Sequence, residues 1–172
     1  MGNLITNTEK GRLEKFYTTG FILDELIKEL KEKINLDETT EFLENSAGDG
    51  KIIDALKVFE KPIIAYDIIP HRDDIIEGDY LKEKIEYKKG RVCVMNPPFS
   101  KGLNFLYKAL DECDYVISIL SMNSLLNIDY SKVWIVGDIK LYRKIIWDDT
   151  KVSVIILTTR LKKEGDKYEY DR

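Results

Sequence analysis

Positive charge is not in excess in this 172-residue chain: 27 Lys and Arg face 31 Asp and Glu, a formal net charge of −4. That excludes a uniformly basic surface able to grip a polyanion anywhere, so any phosphate contact has to come from a local patch. Cysteine is scarce as well. Cys93 and Cys113 show no metal-ligand spacing, and the single histidine, His71, has no partners for a zinc site. The expectation is no metal, and reduced thiols in a cytoplasmic protein. Long apolar runs are missing: none approaches the roughly 18 to 20 residues that cross a bilayer. Met1–Asn7 has no basic region leading into an apolar core, so neither a signal peptide nor a membrane partner is expected. Proline is rare too, and two of the four prolines are adjacent, at positions 97 and 98.

Those two prolines close the most informative stretch, Arg91-Val92-Cys93-Val94-Met95-Asn96-Pro97-Pro98-Phe99. An apolar run stops at an amide, two residues that cannot donate a backbone hydrogen bond, and an aromatic ring. This reads as a buried strand breaking into a rigid turn. The turn offers an amide, exposed carbonyl oxygens and a flat ring at one point. Such a set can hold a planar group with an exocyclic amine, accepting its hydrogens and stacking on its face.

Length and a 44% apolar, 34% charged composition suit one soluble domain. Residues 1–15 read as a flexible lead-in, 16–161 as the domain and 162–172 as a charged, frayed tail. Ile22, Leu23, Leu26, Ile27 and Leu30 make one apolar stripe of a helix. A strand over 40–44 leads into the small-residue loop Asn45-Ser46-Ala47-Gly48-Asp49-Gly50. A helix face of Ile52, Ile53, Leu56 and Phe59 follows. Strand, glycine loop, helix is the unit that receives a polar or anionic cofactor. Two further strands end on acids, Asp67 and Asp79, and Asp67 is near the offset at which an acid takes ribose hydroxyls. A helix over 102–110, a strand over 115–120, a helical or irregular piece over 123–130 and strands over 133–136 and 152–159 complete the chain. Residues 139–147 extend a strand or begin another. Alternating strands and helices predict a mostly parallel sheet covered on both faces, with an antiparallel strand near the C-terminal edge. His71 and Arg72 read as ordinary loop residues.

With these motifs the chain resembles the S-adenosylmethionine-dependent methyltransferases that modify the exocyclic N6 of adenine. It looks most like the small phage-type DNA adenine methyltransferases, over roughly residues 15–160. The family's catalytic Asn-Pro-Pro-Tyr/Phe motif matches Asn96, Pro97, Pro98 and Phe99. Its first cofactor motif matches Glu44, Asn45, Ser46, Ala47, Gly48, Asp49 and Gly50. Asn45 stands where the family often has proline, which predicts a looser loop. Asp67 and Ile68 match the ribose-binding motif, and Asp79 and Tyr80 the segment that contacts the cofactor's adenine. Phe16, Tyr17, Thr18 and Thr19 match the N-terminal motif that closes over the methionine end, and Asn96 borders that pocket as well.

The resemblance implies a Rossmann-like class I methyltransferase with a seven-stranded sheet. Its cofactor would be S-adenosyl-L-methionine, its product S-adenosyl-L-homocysteine, and its target a flipped-out or single-stranded adenine in DNA. The oxygen of Asn96 and the carbonyl of Pro97 would accept the N6 hydrogens, with Phe99 stacking on the base. The family's separate recognition domain has no room here. Recognition would fall to short loops, a second copy of the chain or another subunit. Two basic clusters are the candidate phosphate contacts: Lys82, Lys84, Lys88, Lys89 and Arg91, then Lys140, Arg143 and Lys144. Three alternatives stay open: the same chemistry on RNA, methylation of a protein glutamine, and a non-catalytic cofactor-binding subunit.

Overall fold

The structure, a computed structural model, describes Thr18, residues 20–147 and residues 150–168. Strand β4 (Arg91–Met95) is buried at every position, and its neighbours show why the run is apolar throughout. Val92 and Val94 face Ile22, Leu26 and Leu30 of helix α1 (Gly20–Lys33). Cys93 and Met95 face Phe105, Leu106 and Ala109 of helix α3 (Gly102–Glu112). A strand covered on both faces cannot alternate apolar with polar residues.

Four strands join β4 in parallel: β1 (Glu41–Glu44), β2 (Ile63–Asp67), β3 (Ile76–Glu77) and β5 (Tyr115–Ser121). Strand β8 (Thr150–Leu161) runs antiparallel to β5, and β6 (Val133–Ile135) pairs with its far edge. The path β3-β2-β1-β4-β5-β8-β6 is the expected seven-strand sheet with its antiparallel strand near one edge. An eighth strand, β7 (Lys140–Trp147), forms a hairpin with β8. Residues 139–147 therefore begin a new strand, after Gly137 has turned the chain at φ 78°.

Helix α2 (Lys51–Leu56), prolonged by a 3₁₀ turn over Lys57–Phe59, packs Ile52 and Leu56 on the α1 face. The piece expected over 123–130 is a 3₁₀ turn, Met122–Leu126. Strand β1 has β2 on one side and β4 on the other. The winding of the sheet reverses between β1 and β4, and the crevice at their carboxyl ends is where such folds bind ligands.

The described part of the tail is not frayed. The Tyr168 hydroxyl donates to Val133 O and accepts from Ile135 N, each at 2.9 Å, and its ring stacks on Trp134 at 4.6 Å. Arg160 grips Asp166 through two nitrogens at 2.6 and 2.9 Å. Aromatic stacking and a bidentate ion pair outweigh the solubility of a charged segment. Among the described residues no helix is long and apolar enough to cross a membrane.

Candidate active site

The glycine loop leaves the carboxyl end of β1 and is tied down from β2. Ala47 N donates to Tyr66 O at 2.9 Å, and Gly48 N donates to Asp67 Oδ2 at 2.8 Å. Asp67 Oδ1 accepts from Ile69 N at 2.9 Å. Asp67 thus braces the loop and its own strand end, and each oxygen keeps a further lone pair for a ligand. Asp49 Oδ1 lies 3.4 Å from Lys51 N. Gly50, at φ 82°, precedes α2, where a side chain would be strained and would also collide with the Arg72 guanidinium.

Arg72 was expected to be an ordinary loop residue; the structure corrects this. Its Nη1 donates to Gly50 O at 3.2 Å and to Asp54 Oδ2 at 2.9 Å. Its Nε and Nη2 hold Asp74 at 2.8 and 2.6 Å. The arginine fixes the loop's exit to the segment after β2. No spacing rule connects residues 50 and 72, so sequence reasoning had no signal for it.

Glu44 and Asn45 anchor the loop's entry. Glu44 is fully buried; its Oε1 accepts from Ser46 N at 3.1 Å, and its Oε2 has no hydrogen-bond partner among the described residues. Burial pushes the Glu44 carboxyl up to about 8, against the Ser46 hydrogen bonds and with some help from the Asp67 charge. Asn45 is buried and donates through Nδ2 toward Met95 Sδ at 3.3 Å and Cys93 Sγ at 3.5 Å. The looser loop expected without proline is therefore not found: a side-chain anchor on β4 replaces the ring's rigidity.

Beside Asp67, Ile68 and Ile69 stand 46% and 45% exposed, an apolar surface at the crevice edge. Asp79 accepts from Leu81 N at 3.2 Å and pairs with Lys82 at 3.3 Å. Tyr80 departs from its expected place. It is buried, packs on Phe105 and Tyr66, and donates to Glu112 Oε2 at 2.6 Å. Its ring belongs to the core beneath α3 and is not offered to a cofactor.

Asn96 follows β4 directly and is buried; its Nδ2 donates to Thr18 Oγ1 at 2.8 Å. Thr18 therefore lies at the Asn96–Phe99 turn, while Phe16, Tyr17 and Thr19 lie outside the described residues. Pro97 is buried, and Pro98 O accepts from Lys101 N at 2.9 Å, starting the 3₁₀ turn Phe99–Lys101 that feeds α3. Phe99 is half-buried and packs toward the α1 face. At Gly102 an added Cβ would sit 2.9 Å from Leu120 Cδ2, so this turn lies hard against the end of β5. Across β1 and β4 the structure brings together Glu44–Gly50, Asp67, Ile68, Thr18 and Asn96–Phe99.

The basic clusters divide. Arg91 is buried at the amino end of β4, donating to Glu41 Oε1 at 2.5 Å, Glu86 O at 2.6 Å and Glu112 O at 3.1 Å. Lys88 pairs with the same Glu41. Burial opposes ionisation of Glu41, but Lys88 and Arg91 outweigh it and hold the carboxyl below its usual value. β4 rises about 3.3 Å per residue, so Lys88, Lys89 and Arg91 lie roughly 16 Å or more from the turn, at the opposite sheet edge. They are corrected from phosphate contacts to residues of that far edge. Lys140 is held by Glu29 at 2.8 Å and Glu32 at 3.1 Å. Lys82, Lys84, Arg143 and Lys144 are exposed. The last two sit at a β-bulge, with Lys144 at φ 57°, in a hairpin whose pairing continues past Ser121, the last residue of β5. Four residues of β8 extend beyond that point, carrying the hairpin about 13 Å above the carboxyl edge.

No protein-family profile and no curated protein sequence matches the chain. Solved structures do match it. PH1948 of Pyrococcus horikoshii, assigned provisionally as an RNA methyltransferase, superposes with a TM-score of 0.67 at 15% identity, over 90% of this chain and 88% of that one. The 23S rRNA methyltransferase ErmE gives 0.61 at 12% identity, over 86% and 70%. A type I restriction-modification methyltransferase subunit of Streptococcus thermophilus gives 0.60 at 11% identity, over 87% of this chain and 45% of that one. The fold is that of the class I methyltransferases. At these identities the likeness extends to the fold alone.

Proposed function

We propose that the protein transfers a methyl group from S-adenosylmethionine to the exocyclic N6 of adenine in DNA. The observation that carries this reading is the placement of Asn96-Pro97-Pro98-Phe99 at the carboxyl end of β4, beside the Glu44–Gly50 loop at the end of β1. The likeness to nucleic-acid methyltransferase structures supports it.

The residues present fit the methyl donor. Gly48 presents backbone without a side chain, Gly50 is held from behind by Arg72, and the spare lone pairs of Asp67 suit ribose hydroxyls. Ile68 offers an apolar surface for the cofactor's base. Glu44 Oε2, buried without a hydrogen-bond partner among the described residues, can exchange a hydrogen bond with the amino group of the methyl donor. When bound, S-adenosylmethionine supplies a methyl group on a sulfonium, a good leaving group. Asn96 Oδ1 and the Pro97 carbonyl accept the two N6 hydrogens, which frees the nitrogen lone pair for the methyl carbon. With the methyl group received, N6 would release one of the two protons held by Asn96 and Pro97 to water, which restores the neutral amine. Phe99 stacks on the adenine and fixes its plane. Positioning of this kind lowers the barrier without a covalent enzyme intermediate. Arg143 and Lys144 on the projecting hairpin, with Lys82 and Lys84, hold the phosphates.

A second reading, adenine-N6 methylation of RNA, is favoured by the likeness to PH1948 and ErmE. One assay separates the readings. The protein is incubated with methyl-labelled S-adenosylmethionine and, separately, adenine-unmethylated duplex DNA, denatured DNA, total RNA and protein extract. Label in adenine of DNA is expected. Label only in RNA selects the second reading, and label only in protein points to a glutamine amide. Cofactor binding with no transfer indicates a non-catalytic subunit.

A further inference from the structure

We infer that Leu126 is a wedge that enters a DNA duplex and takes the place of the extruded adenine; this rests on the reading of the protein as a DNA adenine methyltransferase. Three observations carry it. First, Leu126 is 86% exposed, and Met122 in the same 3₁₀ turn is 39% exposed, so the fold itself makes little use of these apolar side chains. A scattered exposed leucine is ordinary; this one sits in a turn built to hold it outward.

Second, that turn is braced. Tyr130 Oη donates to Leu125 O at 2.7 Å, and Asn127 Nδ2 donates to Asn123 O at 3.1 Å. The hydroxyls of Ser121 and Ser124 are 3.2 Å apart. Asp129 N donates to Tyr107 Oη at 2.9 Å, pinning the exit of the segment to α3. A wedge acts only if its backbone is stiff, because a compliant loop would yield before the base stack opened.

Third, the turn stands beside the catalytic one. Met95 at the end of β4 is paired with Ser118 of β5, and β5 continues to Ser121 before this turn begins. The two turns leave the same sheet edge from adjacent strands spaced about 4.8 Å, the Met122–Leu126 turn beginning three residues, about 10 Å, further along, and the start of α3 at Gly102 lies against Leu120 near the end of β5. A base held at Asn96 has left a gap in its stack. An apolar side chain on the neighbouring turn is placed to fill that gap, and exposed Asn123 beside it can hydrogen-bond to the opened edge. Filling the gap offsets the unstacking cost and keeps the base from returning.

The test uses the full chain, methyl-labelled S-adenosylmethionine, adenine-unmethylated plasmid duplex and the same plasmid heat-denatured. Leu126→Ala is expected to lower kcat/KM on duplex by roughly 10- to 100-fold, from an unstacking cost of a few kcal/mol. On denatured strands the expected change is under about 3-fold, with cofactor affinity unchanged. Leu126→Met should restore most of the duplex rate. Equal loss on both substrates, no loss on either, or a changed oligomeric state in Leu126→Ala overturns the wedge while leaving the methyltransferase reading in place. Wild-type protein that labels no DNA overturns both.

Discussion

Asn96 Nδ2 donates to Thr18 Oγ1 at 2.8 Å, joining the turn after β4 to the segment that enters α1, 78 positions earlier. The bond is buried and holds the plane of the amide proposed to clamp adenine. Asn96→Ala should reduce single-turnover methyl transfer at least ~100-fold, as loss of a preorganised polar group does, with cofactor affinity by calorimetry nearly intact. Thr18→Val removes only the brace, a buried hydrogen bond of about 1 kcal/mol, so a ~5-fold loss is expected. Undiminished turnover in Asn96→Ala would falsify the proposed mechanism.

Asp67 serves the loop before it serves any ligand. Asp67→Ala leaves the Gly48 and Ile69 amides without their acceptor, which should cost about 1–3 kcal/mol of stability. Cofactor affinity should fall by at least ~10-fold, while affinity for DNA is spared. Denaturant unfolding and cofactor titration check the two halves separately. Loss of DNA affinity alone would mean that Asp67 does not face the cofactor.

Glu44 predicts a pH dependence. Its carboxyl is raised from an ordinary value of 4.5 to about 8, by burial first. Between those values the unfolded chain has released a proton that the native chain keeps. Native stability is therefore greatest at the acid end of this window and declines as pH rises toward 8, by at most about 1.4 kcal/mol per pH unit. Glu44→Gln, which keeps an acceptor for Ser46 N, should flatten the decline in thermal melts taken from pH 5 to 8. A mutant that retains the full slope would assign it to another group.

Arg72 and Gly50 form one clamp. Gly50→Ala meets both a positive φ and the arginine and should cost roughly 1–3 kcal/mol. Arg72→Ala should weaken cofactor binding severalfold by loosening the loop. In the double mutant the two stability losses should sum to less than the separate values, because removing the arginine relieves the collision. Strict additivity, read from urea unfolding, would show that the two residues do not meet.

The two kinds of basic residue separate by experiment. Arg91→Ala leaves the buried Glu41 with Lys88 alone and removes the donor to Glu86 O and Glu112 O; it should cost about 1–3 kcal/mol, with the salt dependence of DNA binding unchanged. Arg143→Ala with Lys144→Ala should leave stability within about 0.5 kcal/mol. That pair should reduce the slope of log affinity against log salt by roughly 2. The reverse pattern would return Arg91 to the DNA-binding surface.

The sequence by itself determined the alternation of strands and helices, the glycine loop after β1, the acid at the end of β2 and the amide–proline turn after β4. Each is local: apolar periodicity, glycine and proline restrict a few neighbouring dihedral angles, whatever lies elsewhere. The tertiary structure decided what the local pattern leaves open. Arg72 reaches Gly50, Asn45 reaches Met95, and Tyr80 turns into the core under α3, because burial and long-range hydrogen bonds depend on which strands become neighbours. Charge shows the same division. Arg91 and Arg143 are alike in the sequence, yet one end of the sheet is packed around Glu41 and the other carries the projecting hairpin. The sheet's direction, which is a property of the whole chain, therefore leaves Arg143 and not Arg91 at the edge that carries Asn96.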